Sequence, residues 1–178
     1  VNFKCYPQAT GKNALRLAKL IEGASLGSTV KVVLVVQTVD LRLVSENVKL
    51  PVFAQHFDPF LSGAFTGSNC IDSVKDAGAA GSVLNHAEKK QEEGHVKKSI
   101  VFAKENGFPV LVCAEGLKRA LSFSEFKPDF IAFEPPELIG GNVSVSSAKP
   151  KVVRSFVEKI RKANQFSKLI VGAGIKNS

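Results

Sequence analysis

Apolar residues fall along this chain in short blocks without a polar face, separated by longer stretches in which they recur near helical spacing. Residues 30–36 form a β-branched run with no alternation, the mark of a strand buried on both faces. Similar runs predict strands over 51–55, 80–84, 109–113, 129–133 and 168–172. The opening residues 1–5 read as the end of another strand, with Asn2 and Lys4 on one face by the period of two. Between them the spacing predicts helices over 11–23, 41–47, 69–78 (capped by Asn69), 92–106, 116–123 and about 148–164, with Pro150 tolerated in the first turn of the last. Seven strands and no eighth are expected.

Strand and helix alternate throughout, which predicts an α/β fold with a parallel sheet covered by helices. Periodicity does not separate a closed barrel from an open sheet. The polar residues favour the barrel: Asn2, Lys4, His86, Glu134 and the turn at 172–174 lie at or near C-terminal strand ends. A barrel gathers such ends around one mouth, where active sites are built. One stretch organises the rest, Ile131-Ala-Phe-Glu134-Pro-Pro-Glu-Leu-Ile-Gly-Gly141. An acid at a strand tip, two stiff prolines and two glycines together predict a base beneath a closing loop, against the plainer alternative of a strand end and an ordinary Pro/Gly loop.

Composition narrows the function classes. A length of 178 residues with 44% hydrophobic and 22% charged positions fits one globular domain over 1–178 with a real core. No apolar run is long enough to span a bilayer and no signal-like segment opens the sequence, so no membrane role is expected. Cys5, Cys70 and Cys113 are widely spaced without a metal-ligand pattern, which predicts reduced thiols and a cytoplasmic protein. The net charge of +8 raises the possibility of a polyanion-binding scaffold, but the basic residues are scattered among acids on predicted helix faces and no nucleic-acid partner is expected. The loop over 56–68 carries Phe57, Phe60 and Phe65 in a Pro/Gly context, and these rings are expected to be exposed for a subunit contact. His95 is expected on the solvent side of its helix. The sequence holds no methionine and begins inside an apolar run, so its N-terminal edge is expected to be clipped.

Taken in order, Asn2-Phe-Lys4, Ala54-Gln55-His56-Phe-Asp58-Pro59, Leu84-Asn-His86-Ala-Glu88, Glu134-Pro-Pro-Glu-Leu-Ile-Gly140 and Val171-Gly-Ala-Gly-Ile175 resemble the motifs of the triosephosphate isomerase family, archaeal type. The resemblance runs across essentially the whole chain. It implies a TIM (β/α)8 barrel, here without the eighth β/α unit and the start of the first strand. It also implies interconversion of dihydroxyacetone phosphate and glyceraldehyde 3-phosphate through an enediolate, in glycolysis and gluconeogenesis.

By the same resemblance Glu134 is the base that moves a proton between the two carbons, a role that exclusion of water strengthens. His86 stays neutral and donates to the substrate oxygens, Lys4 places a positive charge where the oxyanion develops, and Asn2 adds a polar contact beside it. Ile139, Gly140 and Gly174 match the positions whose backbone N–H groups hold the phosphate. Glu88 matches a supporting acid that orients its neighbours. No metal or organic cofactor is implied, the partner is a small phosphorylated triose, and a homotetramer is expected. Two departures stand out: Ala87 replaces a customary serine, and Lys89-Lys90 replaces a pattern with arginine. A chain ending at Ser178 lacks the last strand and its phosphate loop, so poor solubility and low activity are expected of these 178 residues by themselves.

Overall fold

The computed structural model describes residues 1–134 and 150–172. The chain divides into two compact units, Val1–Val83 and Leu84–Ser178. In the first, β1 (Leu34–Val36) pairs in parallel with β2 (Val52–Ala54), and β2 pairs in parallel with β3 (Gly81–Leu84), whose last residue opens the second unit. All three residues of β1 and of β2 are buried, as an apolar run without alternation requires. The helices are α1 (Lys12–Ser25), α2 (Leu41–Ser45) and α3 (Ile71–Asp76). Helix α1 buries Ala14 and Ala18, one turn apart, and so packs closely on its small-residue stripe. Leu41 and Val44 of α2 and Ile71 and Val74 of α3 complete that core.

The second unit holds β4 (Val110–Ala114), β5 (Phe130–Phe133) and β6 (Lys168–Val171), in parallel register Val112↔Ile131↔Leu169 and Ala114↔Phe133↔Val171. Its helices are α4 (Glu93–Glu105), α5 (Leu117–Ser124) and α6 (Pro150–Ala163). Glu92 caps α4: its carboxylate accepts the N–H groups of Gly94 and His95 at 2.9 Å each, bonds that hold its pKa below the ordinary carboxylate value. Helix α6 buries Phe156 and Ile160, and the Phe156 ring stacks on Phe133 with centroids 4.4 Å apart. Buried Asn164 staples the turn into β6, donating to Ser124 O (3.0 Å) and Ser167 Oγ (2.7 Å) while accepting the N–H of Phe166 (2.8 Å).

The structure corrects several sequence expectations. The seventh strand is absent among the described residues: residues 1–5 make a single bridge, Asn2↔Val35, with Phe3 N–H on Val35 O and Val35 N–H on Val1 O, both 2.9 Å. Lys4 takes φ +51 and turns the chain away before pairing extends. For the same reason the alternation that was to align Asn2 with Lys4 does not reach Lys4. The strand expected from residue 30 begins at Leu34, and Val30 is exposed. Cys70, not Asn69, is the N-cap of α3, because the backbone N–H and C=O of Asn69 are both engaged by Asp58. His95 is half-buried. The expected start of α6 at 148 lies outside the described residues.

Candidate active site

In the first unit, Asn2, Lys4 and Gln55 come together at the end of β2. The Asn2 side-chain oxygen accepts the Lys4 N–H at 2.9 Å, so a local side-chain turn, not strand alternation, joins the two. Gln55 follows β2 directly, and its Nε2 donates to Lys4 O (2.9 Å) and to Asn2 Oδ1 (3.3 Å). A lysine in the left-handed region costs about 1–2 kcal/mol, and these bonds fasten the backbone on both sides of it. Sequence reasoning places Gln55 only within a motif; its tie to Lys4 spans 51 positions and leaves no signal in local sequence.

In the second unit, His86 and Glu134 face each other, with His86 Nε2 3.9 Å from Glu134 Oε1. Both side chains are largely buried, at 16% and 19% exposure. His86 caps a short 3-10 turn, Ala87–Lys89, and its Nδ1 accepts the backbone N–H of Glu88 at 3.2 Å. A ring nitrogen that accepts a hydrogen bond carries no proton, so the neutral imidazole holds its hydrogen on Nε2, aimed toward Glu134. The 3.9 Å gap is too long for a direct hydrogen bond yet short enough for both groups to reach one small molecule. The bond to Nδ1 comes from the main chain of Glu88, and its half-exposed carboxylate stands 3.6 Å from the same nitrogen.

Glu134 follows β5 and is fixed by its own N–H on Ala114 O at 3.1 Å. Its Oε2 is buried and has no hydrogen-bond partner among the described residues. An unsatisfied carboxylate oxygen inside a fold is costly, and it leaves this oxygen open to accept a hydrogen bond from a ligand. Neighbouring Cys113 is buried; burial, the Glu134 charge and a thiol–carboxylate hydrogen bond to Glu134 push its pKa up, so the thiol stays protonated beside the acid. Gly172 lies over the carboxylate: a Cβ there would stand 3.5 Å from Oε1.

The structure thus groups Asn2 and Lys4 in one unit and His86, Glu88 and Glu134 in the other. Ile139, Gly140 and Gly174 lie outside the described residues, as does the loop read as a lid. Among the described residues no group of three or more His, Cys, Asp or Glu is placed to hold a metal ion, and no helix is long and apolar enough to cross a membrane.

The loop over 56–68 departs from expectation in two rings, Phe57 and, in part, Phe60. Phe57 is fully buried, because Asp58 next to it closes the loop base: Asp58 N–H bonds Asn69 O, and its Oδ2 accepts Asn69 N–H, both at 2.8 Å. His56 Nε2 meets the other carboxylate oxygen at 3.0 Å. Half-buried Phe60 stacks on exposed Phe65 at 3.8 Å, and Leu61 is exposed beside them.

Comparison with known proteins gives a consistent answer. The family model described as triosephosphate isomerase matches residues 1–178. A triosephosphate isomerase of Methanothermus fervidus is 43% identical over 177 residues, covering 99% of this chain and 80% of that protein. Those of Saccharolobus solfataricus and Methanocaldococcus jannaschii are 40% and 37% identical, each over 98% of this chain and 77% and 80% of their own lengths.

Proposed function

Because the chain belongs to the triosephosphate isomerase family, whose fold is the α/β barrel that its motifs imply, we propose that it interconverts dihydroxyacetone phosphate and glyceraldehyde 3-phosphate. The observation that carries this reading is a largely buried Glu134 carboxylate, one oxygen of which has no hydrogen-bond partner among the described residues and the other of which stands 3.9 Å from Nε2 of the neutral His86 imidazole. Glu134 removes a proton from the carbon bearing the hydroxyl; the C–H electron pair becomes the C=C bond of an enediolate, and the former carbonyl oxygen takes the negative charge. His86 donates Nε2–H to the substrate oxygens, which requires the ring hydrogen to sit on Nε2. The hydroxyl proton of the enediolate crosses to the charged oxygen by way of His86 Nε2, Glu134 returns its proton to the adjacent carbon as the first oxygen becomes the new carbonyl, and neither metal nor organic cofactor enters.

Lys4 supplies the positive charge for the oxyanion and Asn2 a polar contact beside it, by the family motif they match. Backbone N–H groups at Ile139, Gly140 and Gly174 hold the phosphate on the same ground. The exposed Phe65 and Leu61 support self-association through the 56–68 loop; the homotetramer rests on the archaeal family resemblance, and the cytoplasm on the reduced-thiol pattern of the three cysteines.

A coupled assay in both directions tests the reaction, and a phosphorylated enediolate analogue tests the site. Saturation at about a hundred times its Kd should stabilise the protein by about 2.7 kcal/mol. Salt-dependent retention on nucleic acid, with no stabilisation by the analogue and no turnover, would overturn the proposal.

A further inference from the structure

We propose that Asn85 is a positioning residue for the His86 imidazole, setting its tautomer and its distance from Glu134 through strand β4. The proposal rests on the reading of His86 given above. Asn85 takes φ +57, the left-handed region that asparagine tolerates better than most side chains. It is buried, and both ends of its amide are engaged. Nδ2 donates to Cys113 O and Oδ1 accepts the N–H of Gln91, each at 2.9 Å.

Those two bonds enclose the turn that carries the imidazole. Between Asn85 and Gln91 the chain makes the 3-10 turn Ala87–Lys89, closed by Lys89 N–H on His86 O at 2.8 Å and by Glu88 N–H on His86 Nδ1. The second bond fixes the tautomer, and it forms only while the turn keeps its shape. A single side chain therefore shuts the loop from Asn85 to Gln91 and hangs it from β4.

The anchor point matters because the partner is anchored next to it. Asn85 holds Cys113 O, while Glu134 N–H holds Ala114 O, the next carbonyl along the same strand. Successive carbonyls of a strand point to opposite sides, so β4 carries the imidazole turn on one edge and the base on the other. The 3.9 Å separation is fixed by that shared strand, with Asn85 as the tie on the histidine side.

The test uses the full chain and two variants. Asn85→Gly keeps the left-handed backbone and removes both side-chain bonds; Asn85→Asp keeps the acceptor for Gln91 N–H but loses the donor to Cys113 O. The readouts are the ¹⁵N resonances of the His86 ring without substrate, and kcat and KM separately. We expect the wild-type ring to show one Nε2–H tautomer and Asn85→Gly a mixture of both. With that change kcat falls about ten- to a hundredfold while KM moves little, the pattern of a displaced group. Asn85→Asp should fall between. A single Nε2–H tautomer with unchanged kcat in Asn85→Gly would sink the proposal. If that variant does not fold, the same result in Asn85→Asp does so. Absence of turnover in the wild-type chain would strike the isomerase reading instead, and the ring resonances still decide the role of Asn85.

Discussion

Shortening the base by one methylene gives the sharpest test of the site. Glu134→Asp keeps charge and chemistry and draws the carboxylate back by about 1.5 Å, the length of one C–C bond. The backbone cannot follow to restore contact. Glu134 N–H is bonded to Ala114 O at 3.1 Å, and Gly172 N–H holds the preceding carbonyl, Phe133 O, also at 3.1 Å. The carboxylate of the aspartate therefore retreats toward β5, away from the molecule it is to share with His86. A misplacement of about 1 Å at a reacting group can cost a factor of about 10², so kcat should fall at least a hundredfold, or about 2.7 kcal/mol of transition-state stabilisation. KM should change little, since the phosphate contacts are untouched. The assay is coupled turnover in both directions, with the melting temperature as control; the shorter side chain leaves Phe133 and Phe156 in place, so Tm should hold. Wild-type kcat with an unchanged fold would remove Glu134 from the mechanism. Equal loss of kcat and Tm would make it a structural acid.

Three further outcomes follow from the geometry. Gln55→Ala removes the clamp on the strained Lys4 backbone; kcat/KM should drop about fivefold, the factor set by one hydrogen bond of about 1 kcal/mol, and a steady-state comparison with wild type reads it directly. Phe156→Ala empties the ring site stacked on Phe133 and should cost about 3–5 kcal/mol in urea-unfolding experiments. Glu93, bonded to Lys97 and Ser122, has its pKa lowered from 4.5 to about 2. Its contribution is complete above pH 4.5 and fades as the pH falls through about 2, so Glu93→Gln should lose stability at pH 6 and show a smaller deficit at pH 2 in chemical denaturation.

Most elements were legible because buried strands and helix stripes impose their periods on the chain. Runs such as Val110–Ala114 and Phe130–Phe133 have little other use in a folded protein, and an acid straight after the second is a chemical signal by itself. Bonds between distant residues were not legible. Gln55 reaches Lys4, and Asn85 reaches Cys113, across intervals that carry no local pattern. Phe57 misled for a related reason: a Pro/Gly loop predicts exposure, yet the Asp58–Asn69 clamp closes the loop base and leaves its first ring in the core.

The least legible positions are also the most informative about chemistry. Three non-glycine residues among the described ones adopt positive φ: Lys4, Asn85 and Lys127. Lys127 has a local cause, since it follows α5 and its N–H caps Ser124 O. The other two have no helix end to explain them. One is Lys4 itself and the other immediately precedes His86, and each is held by buried or half-buried amide bonds from elsewhere in the fold. A glycine at either place would have announced a turn in the sequence; a lysine and an asparagine conceal it. Strain that a fold must restrain with dedicated hydrogen bonds persists where a side chain has to be aimed, which makes these two backbone outliers independent support for placing chemistry at Lys4 and His86.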